Sequence, residues 1–379
     1  MVFDTVESAY YTRTVTSKGP TVVALSGGVD SATAAAIMVD QGRDVVGITM
    51  RLYNAEGTAS SSGGRCCGPR DIEDARRVCA HLGIPHYVVD FEEEFTKRVV
   101  DDFVDSYLAG ETPNPCVKCN QYIKFTPLLS HARALGSETL VTGHYARIEK
   151  GDDGEMQLRR GVDNGKDQSY FLFSMPSHEL PSIEFPLGGL EKGEVRRLAK
   201  KYQLPNAEKA ESHEVCFVPD GDYSGFVKRS ALVRGKKSPE SGSFVDKDGS
   251  VLGSHSGYHQ FTLGQRKGIP NVRAGKTNYV TKIVPEKNLV VIGDSTDAGR
   301  NKLQVGQIQW FTNPPESECE LSVQIRHRSP ALKARVMAEG KMATVDFIED
   351  TPVAAPGQAA VFYRDDRVVG GGWITREST

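Results

Sequence analysis

The sequence predicts an α/β protein in which a mostly parallel sheet covered by helices is followed by two smaller β-rich domains, the last a small β-barrel. Three observations carry this expectation. From Thr21 onward, short β-rich runs alternate with helical stretches, as in a parallel sheet with crossover helices. After Cys216 the pattern changes to β-like runs that follow one another between Gly, Pro and Asp turns. A chain of 379 residues also exceeds what one hydrophobic core organises, since domains commonly hold about 100–200 residues.

Taken in order, residues 1–20 read as a polar lead-in with acidic residues near the start and no apolar run of the kind a secretory signal needs. VVAL at 22–25 is the first strand, Ser31–Gln41 the first helix and VVGITM at 45–50 the second strand. A Ser/Gly linker at 57–64 leads to a helix over Asp71–Leu82. The strand YVVDF at 87–91, a helical stretch from Glu92 to about Leu108 and the strand TLVTG at 139–143 complete the series. Boundaries near Gly221 and Gly299 give a nucleotide-binding and catalytic domain at 21–221, a central β-rich domain at 222–299 and a barrel-like domain at 300–379.

Hydrophobic residues make up 39% and charged residues 25%. No apolar run approaches the roughly 20 residues that cross a bilayer, so the expectation is a soluble, cytoplasmic protein with no membrane partner. A formal net charge of −3 argues against a strongly basic nucleic-acid binder, and any polyanion has to meet local patches. Three clusters could supply them: Lys192, Arg196, Arg197, Lys200 and Lys201; Lys228, Arg229, Arg234, Lys236 and Lys237; and Arg326, Arg328, Lys333 and Arg335. Helical surfaces also carry such charge merely for solvation.

The strongest local signal is Ser26-Gly27-Gly28-Val29-Asp30-Ser31, directly after an apolar strand and before an alanine-rich helix. Glycines permit backbone conformations and close approach closed to larger residues, while the amides and dipole of a helix N-terminus attract phosphate oxygens. Ser26 and Ser31 add hydroxyls, and Asp30 can orient magnesium or the loop itself. The bland alternative is a serine-capped turn. No G-x-x-x-x-G-K-[ST] sequence occurs, so the ordinary γ-phosphate-transfer loop is absent. The SGGxDS form resembles instead the PP-loop of ATP pyrophosphatases, which implies cleavage between the α and β phosphates.

Seven cysteines, four of them in the close pairs Cys66/Cys67 and Cys116/Cys119, favour thiol, metal or redox chemistry over a disulfide framework. Cys116 and Cys119 follow the Pro-restricted segment Thr112-Pro113-Asn114-Pro115, and Cys216 lies far off in sequence. Together the three fit zinc with His213 as a fourth ligand, an iron–sulfur or persulfide role, or plain burial. Cys79 sits with Ile72, Ala75 and Leu82 at helical spacing and reads as core. Cys319 has no local partner, and the pair after the linker reads as structural.

ALSGGVDS, TPNPC-x-x-CN-x-x-IKF, VTGHYAR, KDQSYFL, SHEVCFV, TLGQRKGI and PGQAAVFY, in that order from about Val22 to Trp373, resemble the tRNA-specific 2-thiouridylases of the MnmA/TrmU type. The resemblance implies ATP- and Mg2+-dependent adenylation of the C2 oxygen of wobble uridine 34 in tRNAs for Lys, Glu and Gln. A sulfur donor protein or sulfide source would then supply the sulfur that replaces that oxygen, with AMP released. It implies ATP contacts from Ala24, Leu25, Ser26, Gly27, Gly28, Val29, Asp30, Ser31, Met50 and Gly143. It makes Cys119 the nucleophile or acid/base cysteine and Cys216 the persulfide carrier, the two forming a transient disulfide. The implied tRNA contacts are Asn114, Pro115, Cys116, His144, Lys166, Asp167, Gln168, His327, Arg328 and Gln358. One departure is Cys116, where many members have Asp. By resemblance to three-cysteine thiolation enzymes, Cys116, Cys119 and Cys216 would then hold a [4Fe–4S] cluster with one open iron.

Overall fold

The computed structural model describes residues 19–52, 68–211, 215–218, 221–270, 277–294, 301–349 and 353–376. The Ser/Gly linker, Cys66, Cys67 and His213 fall outside the described residues, as does nearly all of the predicted lead-in.

The first sheet is parallel and begins with β1 (Thr21–Ala24), β2 (Val45–Arg51), β3 (His86–Asp90) and β4 (Thr139–Val141). Val22 and Val23 of β1 are fully buried, as β-branched residues of a central strand should be. β3 is an edge strand and leaves Tyr87 and Val88 exposed. The first crossover helix, α1 (Val29–Asp40), is alanine-rich because it is packed from several sides, with Ala32, Ala34, Ala35 and Ala36 all buried.

In α2 (Pro69–Leu82), Pro69 opens the helix, Asp71 Oδ2 accepts the Gly68 N–H at 3.2 Å, and Gly83 ends it at φ +66°. The stretch predicted from Glu92 to Leu108 is helical throughout, as α3 (Glu92–Phe95), a π-helical turn (Thr96–Val100) and α4 (Asp101–Leu108). A second such turn (Asn120–Lys124) separates α5 (Pro115–Cys119) from α6 (Thr126–Ala134).

After β4 the hairpin β5 (Ala146–Lys150) and β6 (Met156–Arg160) leaves this sheet and joins the C-terminal one, a connection the sequence reading did not contain. The short β7 (Ile183–Glu184) then returns beside β4, and α7 (Lys192–Lys201) packs on α1. α8 (Tyr223–Val233) is capped by Asp222, which accepts the Gly225 N–H at 2.8 Å. Its buried Phe226, Val227 and Ala231 belong to the same core as Phe95, Phe103 and Phe217.

Beyond α8 the described residues are β-rich, as predicted, with short 3-10 turns at Tyr258–Gln260 and Pro285–Lys287. β8 (Gly242–Val245), β9 (Val251–His255), β10 (Tyr279–Val284) and β11 (Leu289–Gly293) form a sheet in the order β10-β11-β8-β9 around Phe244, Phe261 and Val280. β12 (Lys302–Trp310), β13 (Cys319–Gln324), β14 (Leu332–Glu339), β15 (Met342–Phe347), β16 (Ala359–Arg364) and β17 (Arg367–Ile374) follow the order β12-β15-β14-β13-β16-β17. Pairing of β12 with β17 closes the ring, so this barrel of six strands has no open edge of its own. The β5–β6 hairpin docks on β17 at Arg159 and Arg367, supported by Asp366, which takes Arg147 and Arg159.

Candidate functional site

The first sheet runs β3-β2-β1-β4-β7, so strand order reverses between β1 and β4. In open parallel sheets that reversal makes a crevice beyond the carboxyl ends of the strands. Ala24, Leu25, Ser26, Gly27, Gly28, Val29, Asp30 and Ser31 run from the end of β1 into α1 at this point, Met50 sits near the end of β2, and Gly143 follows β4. The predicted nucleotide residues are therefore gathered at one edge.

The loop is braced from within. Ser31 Oγ donates to Gly28 O (3.1 Å) and accepts the Ser26 N–H (3.1 Å), while Ser26 Oγ accepts the Gly28 N–H (3.4 Å). Gly27 has φ +72°, and a Cβ on it would lie 2.3 Å from Asp71 O. A Cβ on Gly143 would lie 2.8 Å from Asp30 C and Ser31 N. Both positions need glycine, and the N-terminus of a twelve-residue helix stands behind the loop. These residues fit a nucleotide polyphosphate, and Asp30 is the loop carboxylate able to hold Mg2+.

A strap from Asn206 to Glu211 holds the loop from outside, and sequence reasoning missed it. Asn206 Nδ2 and Lys209 Nζ both donate to Gly27 O, at 3.0 and 3.1 Å, and Lys209 also pairs with Asp71 and Asp74. Lys192 Nζ lies 2.6 and 2.8 Å from the two Asp30 oxygens and 2.9 Å from Glu211 Oε1. Lys166 Nζ reaches Glu211 Oε2 at 2.6 Å. Burial opposes the charge on Glu211, but hydrogen bonds and charges from Lys166 and Lys192 outweigh it and hold the carboxyl at about 2. Tyr145 donates to Asp30 at 2.9 Å, and burial first and the Asp30 charge second raise its phenol. Arg196 donates to the carbonyls of Ala207 and Lys209. Lys192 and Arg196, counted above among surface cations, are thus internal struts. No local sequence pattern announces either contact.

Two of the thiols stand on α5 and a third in the segment 215–218. Asn114 caps α5 by accepting the Val117 N–H (3.4 Å), and Pro115 starts the helix, so the TPNPC segment is a built N-terminus. Cys116 is exposed; Cys119, three residues on, is buried in the main core. Cys216 packs partly buried against that core. Among the described residues no three His, Cys, Asp or Glu side chains stand close enough to hold a metal ion. The predicted [4Fe–4S] ligand set of Cys116, Cys119 and Cys216 therefore does not fit here. Directly after Cys119, the side-chain oxygens of Asn120 and Gln121 are buried, and Asn120 Nδ2 donates to Phe171 O at 3.0 Å. Cys79 is core as expected: a Cβ on Gly47 would lie 2.7 Å from its sulfur, and burial pushes the thiol up to about 12.

The predicted RNA contacts divide. Gln358 Nε2 donates to Thr112 O (2.9 Å) and Pro113 O (3.1 Å), tying the barrel to the cysteine segment. His327 stacks 4.3 Å from Phe171, beside Tyr170, and Arg328 next to it is exposed. His144 is wedged between Phe125 and Phe185, where burial and then the Lys124 charge hold its ring well below the ordinary histidine range. Gln168 Oε1 accepts the Tyr145 N–H (2.9 Å) and Lys166 is taken by Glu211.

Asp167 is held within the fold. Its carboxylate, 9% exposed, accepts from Arg160 Nη1 (2.8 Å), Gly161 N (3.0 Å), Ser169 N (3.0 Å) and Ser169 Oγ (3.0 Å). With both carboxylate oxygens used internally, it braces the β6 end against the barrel.

The family described as tRNA methyl transferase HUP domain matches residues 20–220, the tRNA methyl transferase PRC-barrel domain residues 231–294, and the aminomethyltransferase beta-barrel domain residues 300–374. The tRNA-specific 2-thiouridylase MnmA of Geotalea uraniireducens is 46% identical over 357 residues, 93% of this chain and 94% of that protein. That of Geobacter metallireducens is 45% identical over 94% of this chain and 97% of its own length, and that of Rickettsia peacockii 44% identical over 94% and 96%. A solved predicted subunit of tRNA methyltransferase from Methanocaldococcus jannaschii shares 18% identity over 58% of this chain and 90% of that one, at a TM-score of 0.33, a likeness too loose to carry weight. On its relatives and on the family that covers more than half its length, the chain belongs to the tRNA-specific 2-thiouridylases of the MnmA type.

Proposed function

We propose that this protein is an ATP-dependent tRNA-uridine 2-sulfurtransferase acting on uridine 34 of tRNAs for Lys, Glu and Gln. The uridine C2 oxygen attacks the α-phosphorus of ATP, the α–β bond breaks, and pyrophosphate leaves. The terminal sulfur of a persulfide on Cys216 then attacks C2, and AMP departs with the oxygen. The Cys119 thiolate attacks the Cys216 sulfur, releasing 2-thiouridine and leaving a Cys119–Cys216 disulfide that an external thiol reduces. The single observation that carries the reading is the strap. It joins a pyrophosphatase-type loop, through Gly27 and Asp30, to the segment that continues into Cys216.

The protein's own residues have distinct tasks in this scheme. The loop amides and the α1 dipole stabilise charge on the phosphates, and Asp30 holds Mg2+. The Asn114–Cys116 turn, His327, Arg328 and Gln358 receive the anticodon loop, whose wobble base must unstack to be reached. Cys116, exposed beside Cys119, assists persulfide exchange as a third thiol. This division of labour follows a nucleotide and catalytic unit at 21–221, a central unit at 222–299 and a barrel at 300–379. A donor protein's persulfide charges Cys216 by passing its outer sulfur to the Cys216 thiol, or hydrosulfide attacks the Cys216 sulfur of the Cys119–Cys216 disulfide and the Cys119 thiolate leaves; no described helix is long and apolar enough to cross a membrane.

An amide-forming ligase with the same loop, or a non-catalytic RNA scaffold, are the rivals. Incubation of tRNA with the protein, ATP, Mg2+ and sulfide, followed by mass spectrometry of the nucleosides, tests the proposal. 2-Thiouridine with tRNA-stimulated AMP release supports it, and AMP release without thiolation would favour the ligase.

A further inference from the structure

We propose that Tyr258 and His259, on the short turn after β9, are positioning residues for the sulfur transfer: together they clip the segment leading into Cys116 and Cys119 to the helix that packs beside Cys216. The inference rests on the function proposed above and deepens it, by giving the sheet β10-β11-β8-β9 a part in the reaction. Tyr258 Oη donates to Leu108 O, at the end of α4, at 2.6 Å. His259 Nε2 lies 3.1 Å from Ser224 Oγ, in the first turn of α8. Both side chains are buried. Burial first and the Lys228 charge second push the His259 ring down to about 4, so it meets the Ser224 hydroxyl uncharged.

The first arm of the clip runs from Leu108 to Cys119 along a chain that is tied at almost every step. Arg376 donates to Ala109 O and pairs with Glu111 at 3.5 Å. Gly110 has φ +70°, and a Cβ on it would lie 2.7 Å from Pro285 Cγ and 3.0 Å from Ile283 Cγ2, so the backbone lies flush against the end of β10. The Thr112 N–H donates to Pro356 O at 2.9 Å, Gln358 takes the carbonyls of Thr112 and Pro113, and Asn114 caps α5. With these polar groups spent on fixed partners, the place of Leu108 sets the place of α5 and its thiols. The second arm is a direct contact. Phe226 of α8 stands 5.4 Å from Phe217, the residue after Cys216, and Phe217 stands 5.1 Å from Phe103 of α4. Cys216 packs against the same core that buries Cys119. α4 and α8 thus bear on both thiols, and the Tyr258–His259 turn joins α4 to α8. Attack of Cys119 on the Cys216 sulfur needs one working distance, and a misplacement of about 1 Å can cost about a hundredfold in rate.

Tyr258→Phe opens one side of the clip and Ser224→Ala the other, while His259→Gln keeps a hydrogen-bonding group for Ser224. Hydrogen–deuterium exchange of the full chain, read by mass spectrometry, follows peptides spanning 106–120 and 221–233, with β13 and β14 of the barrel as reference. Tyr258→Phe should speed exchange in the first span and Ser224→Ala in the second by about two- to tenfold, the scale of one hydrogen bond, with the barrel unchanged. In single turnovers with tRNA, ATP, Mg2+ and sulfide, both variants should release pyrophosphate at the wild-type rate and form 2-thiouridine about tenfold more slowly. In steady state the loss should fall on kcat with the KM for tRNA nearly unchanged, and His259→Gln should keep most of the rate. A general loss of folded protein would slow both chemical steps together. Equal slowing of pyrophosphate release and thiolation, or loosened segments with a wild-type thiolation rate, would overturn the positioning role, and wild-type exchange in both spans would overturn the clip. If Tyr258→Phe does not fold, Ser224→Ala makes the same comparison from the other side. A wild type that forms no 2-thiouridine sinks the functional reading, and the exchange rates then decide the clip on their own.

Discussion

Replacing Asp167 by Ala separates a brace from an RNA contact. The substitution removes the partner of Arg160, whose guanidinium keeps only the Gln324 amide oxygen at 3.0 Å and the face of Tyr363 at 3.6 Å. Breaking a buried ion pair from one side costs about 3–5 kcal/mol. Arg160 retains 23% exposure of its side chain, so the lower end, about 3 kcal/mol, applies to the pair itself. Two backbone N–H groups, of Gly161 and Ser169, also lose their acceptor at about 1 kcal/mol each, while Ser169 Oγ can turn to Tyr363 Oη at 3.2 Å. A loss of about 3–5 kcal/mol corresponds to a fall of about 6–20 °C in Tm for a unit of this size. Scanning calorimetry suits the measurement because it resolves transitions of separate cores. A fall below about 3 °C, together with weakened tRNA binding by the folded variant, would refute the brace and restore a direct RNA contact.

The remaining expectations bear on the loop, the thiols, the RNA face and pH. Gly143→Ala forces a Cβ to 2.8 Å from the first turn of α1, and overpacking of about 1–3 kcal/mol should weaken ATP binding about tenfold or more by calorimetric titration. Cys119→Ser and Cys216→Ser should each abolish 2-thiouridine while leaving ATP affinity near wild type; a working variant removes that cysteine from the scheme. Arg328→Ala should weaken tRNA binding and flatten its log–log salt slope by about one unit or less, and superimposable salt titrations would remove it from the interface. Glu211, held at about 2 against an ordinary 4.5, contributes stability that is complete above about pH 4.5 and lost as pH falls through about 2. The stability gap between wild type and Glu211→Gln should be flat at neutral pH and close in that acid window. A gap that widens on acidification contradicts the assignment.

The fold was legible where local chemistry and tertiary role agree. VVAL before SGGVDS is a buried central strand feeding a helix, and both periodicity and the glycines say so. The run from Glu92 to Leu108 was legible as helix, although its π-helical turn was not, since that turn answers to packing around Phe95 and Val99. α8 was lost inside a stretch read as β because Gly225 and the valines lower its helix propensity, and burial of Phe226 and Val227 in the main core supplies what propensity lacks. The β5–β6 hairpin carried a turn signal in Gly151-Asp152-Asp153-Gly154. Its membership in the barrel sheet depends on Arg159, Arg147 and Asp366, more than two hundred residues apart in sequence, and no window of sequence holds both sides.

The same distinction governs the site. Motifs mark residues whose chemistry is fixed by type and spacing, so the loop, the paired cysteines and Cys216 stand out in the chain. What motifs cannot mark is how a charge is spent. Asp167 and Lys166 are neighbours in one motif, yet one braces Arg160 and the other holds Glu211, and only the partners across the fold tell them apart. Lys192 and Arg196 look like solvated cations on an amphipathic helix, but α7 lies against α1 and turns both inward, onto Asp30 and onto the strap carbonyls. A strap that binds the carbonyl of Gly27 by Asn206 and Lys209 has no sequence signature, because a backbone acceptor is the same at every residue. The cysteine motif fails in the opposite direction. Three thiols in family order suggest one ligand set, while the fold exposes Cys116 and buries Cys119 in the main core, three residues apart on one short helix. Shared chemistry in a motif is therefore evidence about what a side chain can do, and its direction in the fold decides which of those things it does.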